Sequence, residues 1–270
     1  EQSKRLGVHI NFAPVVDINT NPKNPIIGNR SFGEDRDNVT EKALAFMKGM
    51  QSAGIMGSAK HFPGHGDTDM DSHKTLPTVD FTRARLDTLE LYPYKKLINE
   101  GLNSVMVAHL NVPSLEIQMN YPSSLSSKVV TDLLKNELGF NGLIFTDALN
   151  MKGASDFKKP GEIELAAFLA GNDVLLISED IPKAMEFLIN SYNEEVITEK
   201  RLAYSVKKIL YAKYKVGLNH YQPVKTAYLY DDLNSVNDDA LYEEAMDNAL
   251  TVIKNNRAIL PIKDLQAGSD

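Results

Sequence analysis

The chain has 270 residues, a net charge of −7 from 29 Lys and Arg against 36 Asp and Glu, 43% hydrophobic residues, and neither Cys nor Trp. That acidic balance offers no footprint for nucleic acid or an anionic membrane. The absence of cysteine excludes disulfides and thiolate chemistry while tolerating cytoplasm, periplasm and exterior alike, and no apolar run approaches the ~20 residues that span a bilayer.

Residues 1–6 read as the tail of a helix stopped by Gly7, so the chain opens in mid-element and without an initiator Met, as a piece of a longer one. Residues 8–16 (VHINFAPVV) form an apolar strand ending at Asp17, and a loop rich in Asn, Pro and Gly follows to residue 32. Helical spacing over 37–53 puts Ala43, Leu44, Met47 and Met50 on one face, and Gly54 ends it. Residues 57–61 are the next strand, 86–100 a helix carrying Pro93, and 104–109 (SVMVAH) a third strand. Residues 128–138 are a helix closed by Gly139, 143–147 a strand, 162–170 a helix, and 173–178 (DVLLIS) a fifth strand. Helices over 181–191 and 198–216 complete the pattern.

Short apolar strands alternating with helices indicate parallel βαβ units. Each strand ends in a polar or titratable residue, as in a (β/α)₈ barrel, where chemistry collects at the C-terminal ends of the strands. A doubly wound sheet would want a glycine-rich phosphate turn after the first strand, and Asp17-Ile18-Asn19 is nothing of the kind. Residues 220–235 lose periodicity and read as a linker; 238–250 read as a helix. The expected organisation is a barrel domain over 1–219, followed by a linker and a helix within 220–270.

The segment of greatest chemical density is KHFPGHGDTDMDSHKTLP, residues 60–77. It holds His61, His65 and His73 of the chain's six histidines, together with Asp67, Asp69 and Asp71. Its glycines and prolines make most of it loop, and loops on rigid scaffolds carry function. A solvated polar loop accounts for the aspartates alone. A metal site is poorly supported, with no HExxH pair, no cysteine, and Ser72 and Thr78 where a calcium loop needs Gly and Glu. The favoured reading is acid–base catalysis by Asp71-Ser72-His73, because a carboxylate two residues from an imidazole can hold its tautomer. Asp147, closing the strand GLIFTD, is either a helix N-cap or a catalytic carboxylate. Arg30 either grips a ligand or pairs with Glu34 or Asp35, and His109 either faces the same mouth or is a hydrogen-bonded core histidine.

KHFPGHGDTDMDSH resembles the signature of glycoside hydrolase family 3, in its β-N-acetylhexosaminidase (NagZ-like) branch. GNRSFGED at 28–35 and FTDALNMKG at 145–153 resemble that branch's other motifs, in the expected order. The resemblance implies a barrel over 1–219 whose first strands precede Glu1, a linker and the start of a second α/β domain over 220–270, and a retaining β-N-acetylglucosaminidase without metal or cofactor. Asp147 would be the nucleophile and His73, supported by Asp71 on a mobile loop, the acid/base. Arg30, Lys60, His61, His109 and Met151 would bind the sugar, with His65 shaping its loop. The implied partner is a carbohydrate such as a peptidoglycan fragment, and the implied location bacterial cytoplasm or periplasm and cell envelope. Phosphorolysis, another β-glycosidase activity and a non-catalytic sugar-binding domain are the alternatives.

Overall fold

The computed structural model describes residues 1–256 and 260. It contains two compact units, Ser3–Pro223 and Val224–Asp270.

The first unit is built on five parallel strands hydrogen-bonded in sequence order: β1 (Ile10–Asn11), β2 (Met56–Phe62), β3 (Ser104–Val107), β4 (Leu143–Ala148) and β5 (Val174–Leu176). Their connections include helices α1 (Arg36–Ser52), α2 (Arg83–Thr88), α3 (Tyr92–Asn99), α4 (Lys128–Glu137), α5 (Lys152–Ser155) and α6 (Glu162–Ala170). After β5 come α7 (Ile181–Asn193) and α8 (Glu199–Lys215). Period-two alternation divides the strands between two cores. Val105, Val107 and Ile144 join Ala43 and Met47 of α1, Leu86 of α2, Tyr94 and Leu97 of α3, and Val129 and Leu133 of α4. Leu143 and Phe145 turn the other way, onto Ile209, Ala212 and Val216 in the region of α8. Each fully buried leucine in the larger core contributes ~1.5–3 kcal/mol.

Three elements differ from their sequence patterns. The nine-residue strand expected over 8–16 is paired regularly only at Ile10 and Asn11, with an isolated bridge from Val15 to Lys60. Pro14 has no N–H to give the ladder, and the Ala13 N–H is turned back onto the Asn11 carbonyl at 2.8 Å. The helix expected over 86–100 is two helices. It breaks at Leu89, so Pro93 lies in the first turn of α3, where a missing N–H costs nothing. The strand expected over 173–178 stops at Leu176, because Ile177 takes the left-handed region at φ 48°.

The second unit contains α9 (Leu229–Leu233) and α10 (Val236–Ala249). Ser235 and Asp238 cap α10 reciprocally. The expected start of a second α/β domain falls partly on residues 257–259 and 261–270, which lie outside the described residues. Among the described residues no helix is long and apolar enough to cross a membrane.

The anchor of α8 is Asp173, at the entry to β5. Its buried carboxylate accepts from the Ile144 N–H at 3.0 Å and the Ser205 hydroxyl at 2.5 Å, and it pairs with the Lys208 ammonium. Arg201 donates beside it to the carbonyls of Phe168 and Asn172. Asp173→Ala leaves the Lys208 cation unpaired among buried groups. Urea denaturation is expected to show a loss of roughly 3–5 kcal/mol, and a loss below 1 kcal/mol would refute this anchoring.

Candidate active site

The two register irregularities of the sheet lie at the C-terminal ends of strands, between Ala59 and Phe62 in β2 and between Phe145 and Ala148 in β4. A local break in register re-aims side chains. The residues inside these breaks are Lys60, His61, Thr146 and Asp147; Thr146 is buried, and the other three line one cleft of about 230 Å³. Arg30, from the turn Gly28–Arg30, and His73 line it too, with Phe12, Met106, Leu176 and Ile177 as an apolar side. The volume lies below the ~300–1,000 Å³ of pockets for drug-sized ligands and suits a single ring.

Asp17 lies beneath the cleft, wholly buried. Its carboxylate accepts the His65 N–H at 2.7 Å, the His61 N–H at 3.2 Å to both oxygens, and the His61 Nδ1–H at 2.7 Å. An ionised carboxylate only accepts, so the His61 proton is on Nδ1. The Arg30 Nη2–H then donates to His61 Nε2 at 3.4 Å. The Nε2 lone pair is thereby engaged by the Arg30 guanidinium, and both side chains line the cleft. Burial alone would raise the Asp17 carboxyl, but His61 and the His65 N–H hold it below its ordinary value.

Asp147 is partly buried, and among the described residues its carboxylate accepts one hydrogen bond, from the Ala148 N–H at 2.9 Å. Burial pushes its pKa up. Against this, the His61 and His109 rings when protonated, the Ala148 N–H and the Lys60 ammonium bring it below the usual carboxylate value. Its remaining lone pairs are unspent. Burial lowers the Lys60 ammonium, and Arg30 lowers it further, while Asp147 and Asp17 act in the opposite sense.

Across the cleft, the His73 Nδ1–H and backbone N–H both donate to Asp71 Oδ1, at 2.8 and 2.9 Å. These two bonds, the backbone one first, lower the Asp71 carboxyl. Among the described residues His73 Nε2 has no hydrogen-bond partner. The loop carrying the pair is rooted by His65, whose buried ring meets the Thr68 hydroxyl at 2.7 Å and the Ser72 hydroxyl at 3.1 Å. Burial keeps this ring neutral by lowering its pKa.

Two residues expected to bind a ligand are placed elsewhere. His109 is fully buried and does not line the cleft. Its Nε2–H donates to the Ala148 carbonyl at 3.0 Å and its Nδ1 meets the Ser124 hydroxyl at 2.7 Å, so it supports the strand end that carries Asp147. This is the hydrogen-bonded core alternative. Met151 is buried outside the cleft lining, at the start of α5. Arg30 pairs with neither Glu34 nor Asp35 among the described ion pairs and is bound instead to the Ile26 carbonyl and His61. Sequence reasoning missed how Asp17 is used. Its position at the end of an apolar strand was the available signal, but its partners lie 44 and 48 residues away. Among the described residues no three His, Asp or Glu side chains converge as a metal site requires.

Comparison with known proteins gives a consistent result. Residues 1–212 match the family model described as "Glycosyl hydrolase family 3 N terminal domain". The chain is 34% identical to beta-hexosaminidase A of Pseudoalteromonas piscicida, over 96% of this chain and 46% of that protein. Among solved structures it is similar to a family 3 β-N-acetylglucosaminidase from Paenibacillus sp. str. FPU-7, with TM-score 0.85 and 38% identity over 90% of this chain and 46% of the other. It is also similar to a β-glucoside phosphorylase, with TM-score 0.90 and 26% identity over 97% and 49%. The chain thus spans about half the length of the relatives it matches.

The Asp17 arrangement sets a pH dependence. With a folded-state pKa below the unfolded one, its stabilisation is complete above ~3.9 and is lost as pH falls through the lower folded value. Asp17→Asn should cost ~1–3 kcal/mol near neutral pH. The gap to the wild type should narrow as denaturation is repeated at progressively lower pH below ~4. A gap independent of pH would mean that the Asp17 charge is not what holds His61 and His65.

Proposed function

The chain belongs to glycosyl hydrolase family 3, and from that membership we propose that it is the catalytic part of a retaining β-N-acetylglucosaminidase. The observation that carries the reading is that Asp147 and His73 line one cleft, His73 being bonded to Asp71 behind it. The names of the β-hexosaminidase and β-N-acetylglucosaminidase relatives support the substrate class, N-acetylglucosaminyl bonds such as those of peptidoglycan fragments. The five parallel strands fit consecutive strands of a (β/α)₈ barrel. Residues 1–219 are taken as the catalytic domain and 220–270 as the passage to a second one.

In the first step an Asp147 oxygen attacks the anomeric carbon as the bond to the leaving oxygen breaks, and protonated His73 gives that oxygen its Nε2 proton. The sugar is then an ester of Asp147. In the second step neutral His73 takes a proton from water, the water oxygen attacks the anomeric carbon, and Asp147 departs as carboxylate. Two inversions give net retention. Lys60, His61 and Arg30 hold the ring hydroxyls, which keeps the anomeric carbon over Asp147. His109 holds the Ala148 carbonyl, and with it the strand end behind the nucleophile.

Phosphorolysis is a second reading, favoured by the likeness to a β-glucoside phosphorylase. A neutral imidazole base would not repel phosphate as a carboxylate would. An assay with and without inorganic phosphate separates the two by its product, free sugar or sugar 1-phosphate. Another β-glycosidase specificity would appear as preference for substrates without the acetamide. A sugar-binding domain without catalysis would show binding and no turnover.

Three measurements in the intact protein test the mechanism. Asp147→Asn should bind sugar and not turn over, and in the wild type a slow 5-fluoro N-acetylglucosaminide, which keeps its acetamide, should leave its sugar on Asp147, read by peptide mass. His73→Ala should slow a disaccharide by 10²–10⁴-fold, the range for lost acid–base catalysis. With an activated aryl glycoside it should instead show a burst of phenol, because the ester forms without an acid and persists without a base. Equal slowing of both substrates with no burst would remove His73 from the proton-transfer role.

A further inference from the structure

The histidine loop is held at two levels. Its root is fixed many times over. The His65 N–H is on Asp17, the His65 carbonyl accepts from Asn24 Nδ2 at 2.8 Å, and the Asp67 carbonyl accepts from Asn21 Nδ2 at 3.3 Å. The Asp67 carboxylate pairs with Arg85 at 2.9 Å. Gly66 passes so close to the Ile18 backbone that a Cβ would stand 1.9 Å from the Ile18 carbonyl oxygen. Asp69 and Met70, both exposed, separate this root from the catalytic turn.

The turn itself, residues 71–75, is bonded mainly to itself. Asp71 accepts from the His73 ring and from the backbone N–H groups of His73, Lys74 and Thr75. Among the described residues, the hydrogen bonds that tie the turn to the rest of the fold both involve Ser72. Its hydroxyl meets His65 Nε2 at 3.1 Å, and its carbonyl accepts the Gly153 N–H at 3.2 Å. Ser72 is almost fully buried although it stands between a partly exposed Asp71 and an exposed His73. Gly153 follows the strand of Asp147, and the turn rests directly on it. A Cβ there would lie 3.0 Å from the carbonyl oxygens of both Ser72 and Thr75.

We propose that Ser72 is the latch of this loop, a positioning residue that holds His73 at the cleft by closing onto His65 and Gly153. The loop opens by releasing those two bonds while its root stays in place. The inference rests on the acid/base reading of His73. One buried hydrogen bond biases an equilibrium by on the order of tenfold, so two favour the closed loop without preventing its opening in each turnover. Because one receptor is the root and the other the segment behind the nucleophile, closure sets His73 relative to Asp147 rather than merely covering the cleft.

The test compares Ser72→Ala, Gly153→Ala, His65→Gln and His65→Asn in the intact protein by amide hydrogen exchange and by kinetics. Ser72→Ala should speed exchange over residues 69–75 by on the order of tenfold and leave the strands unchanged. Disaccharide kcat should fall by on the order of tenfold at unchanged KM, with formation of the ester from an activated aryl glycoside nearly unaffected. Gly153→Ala, whose Cβ would crowd the Ser72 and Thr75 carbonyls at 3.0 Å and the His109 Cβ at 3.3 Å, should also speed exchange over residues 69–75. A Gln amide reaches the position of Nε2 and an Asn amide only that of Nδ1, so His65→Gln should retain more disaccharide activity than His65→Asn. The proposal is overturned if Ser72→Ala exchanges like wild type, if exchange rises throughout the unit, or if Asn outperforms Gln. Should the wild type turn over no glycoside, the enzymatic reading fails, and the exchange data alone decide the latch.

Discussion

Everything at the cleft depends on one buried carboxylate being used up. Asp17 accepts two backbone N–H groups and a ring N–H, close to the full capacity of its oxygens. Those bonds join the end of the first strand region to the end of β2 and to the root of the histidine loop. Asp147 also ends a strand in the same sheet, yet among the described residues its carboxylate accepts one hydrogen bond. The two aspartates thus differ in how many donors the fold aims at each. The saturated one fixes a tautomer. In the proposed mechanism the other uses its lone pairs on the anomeric carbon.

Much of this was legible in the sequence because it is encoded locally. Strand and helix periods, the glycine and proline punctuation of residues 60–77, and the two-residue spacing of Asp71 and His73 all need only neighbours. The elements that departed from expectation did so through local geometry that composition alone does not weigh. Pro14 interrupts an otherwise continuous apolar run, Leu89 ends a helix ahead of Pro93, and Ile177 leaves the strand in a left-handed conformation. The partners of His109 were open in the sequence, since an apolar strand ending in histidine fits a core position and a cleft position equally. In the structure its ring is bonded to the Ser124 hydroxyl and the Ala148 carbonyl. Contacts such as Asp17 with His65, or Gly153 with Ser72, follow from strand register and loop packing, which no local pattern carries.

The site also divides its groups by burial in a way that suits the proposed chemistry. Asp147, the proposed nucleophile, is partly buried, and His61, His109, the Ala148 N–H and the Lys60 ammonium favour its ionised form. The proton-transferring imidazole is exposed, its side chain 60% accessible. A proton must reach and leave this group in each turnover, whereas solvent near Asp147 would compete with the sugar for its lone pairs. One rigid strand could not meet both demands. Carrying the imidazole on a loop does, provided the loop returns to one geometry.

That proviso explains why so many polar groups are spent on the loop's root and so few on its tip. The bonds from Asn21, Asn24, Arg85 and Asp17 all end on residues 65–68. They fix where the loop starts without restraining where it ends. Had the same number been placed on residues 71–75, His73 would be well positioned and unable to exchange its proton freely. Had none been placed there, the imidazole would sample positions from which no proton transfer occurs. Two bonds at one buried serine lie between these extremes, and their receptors are the two segments whose positions matter, the loop root and the chain that follows the nucleophile.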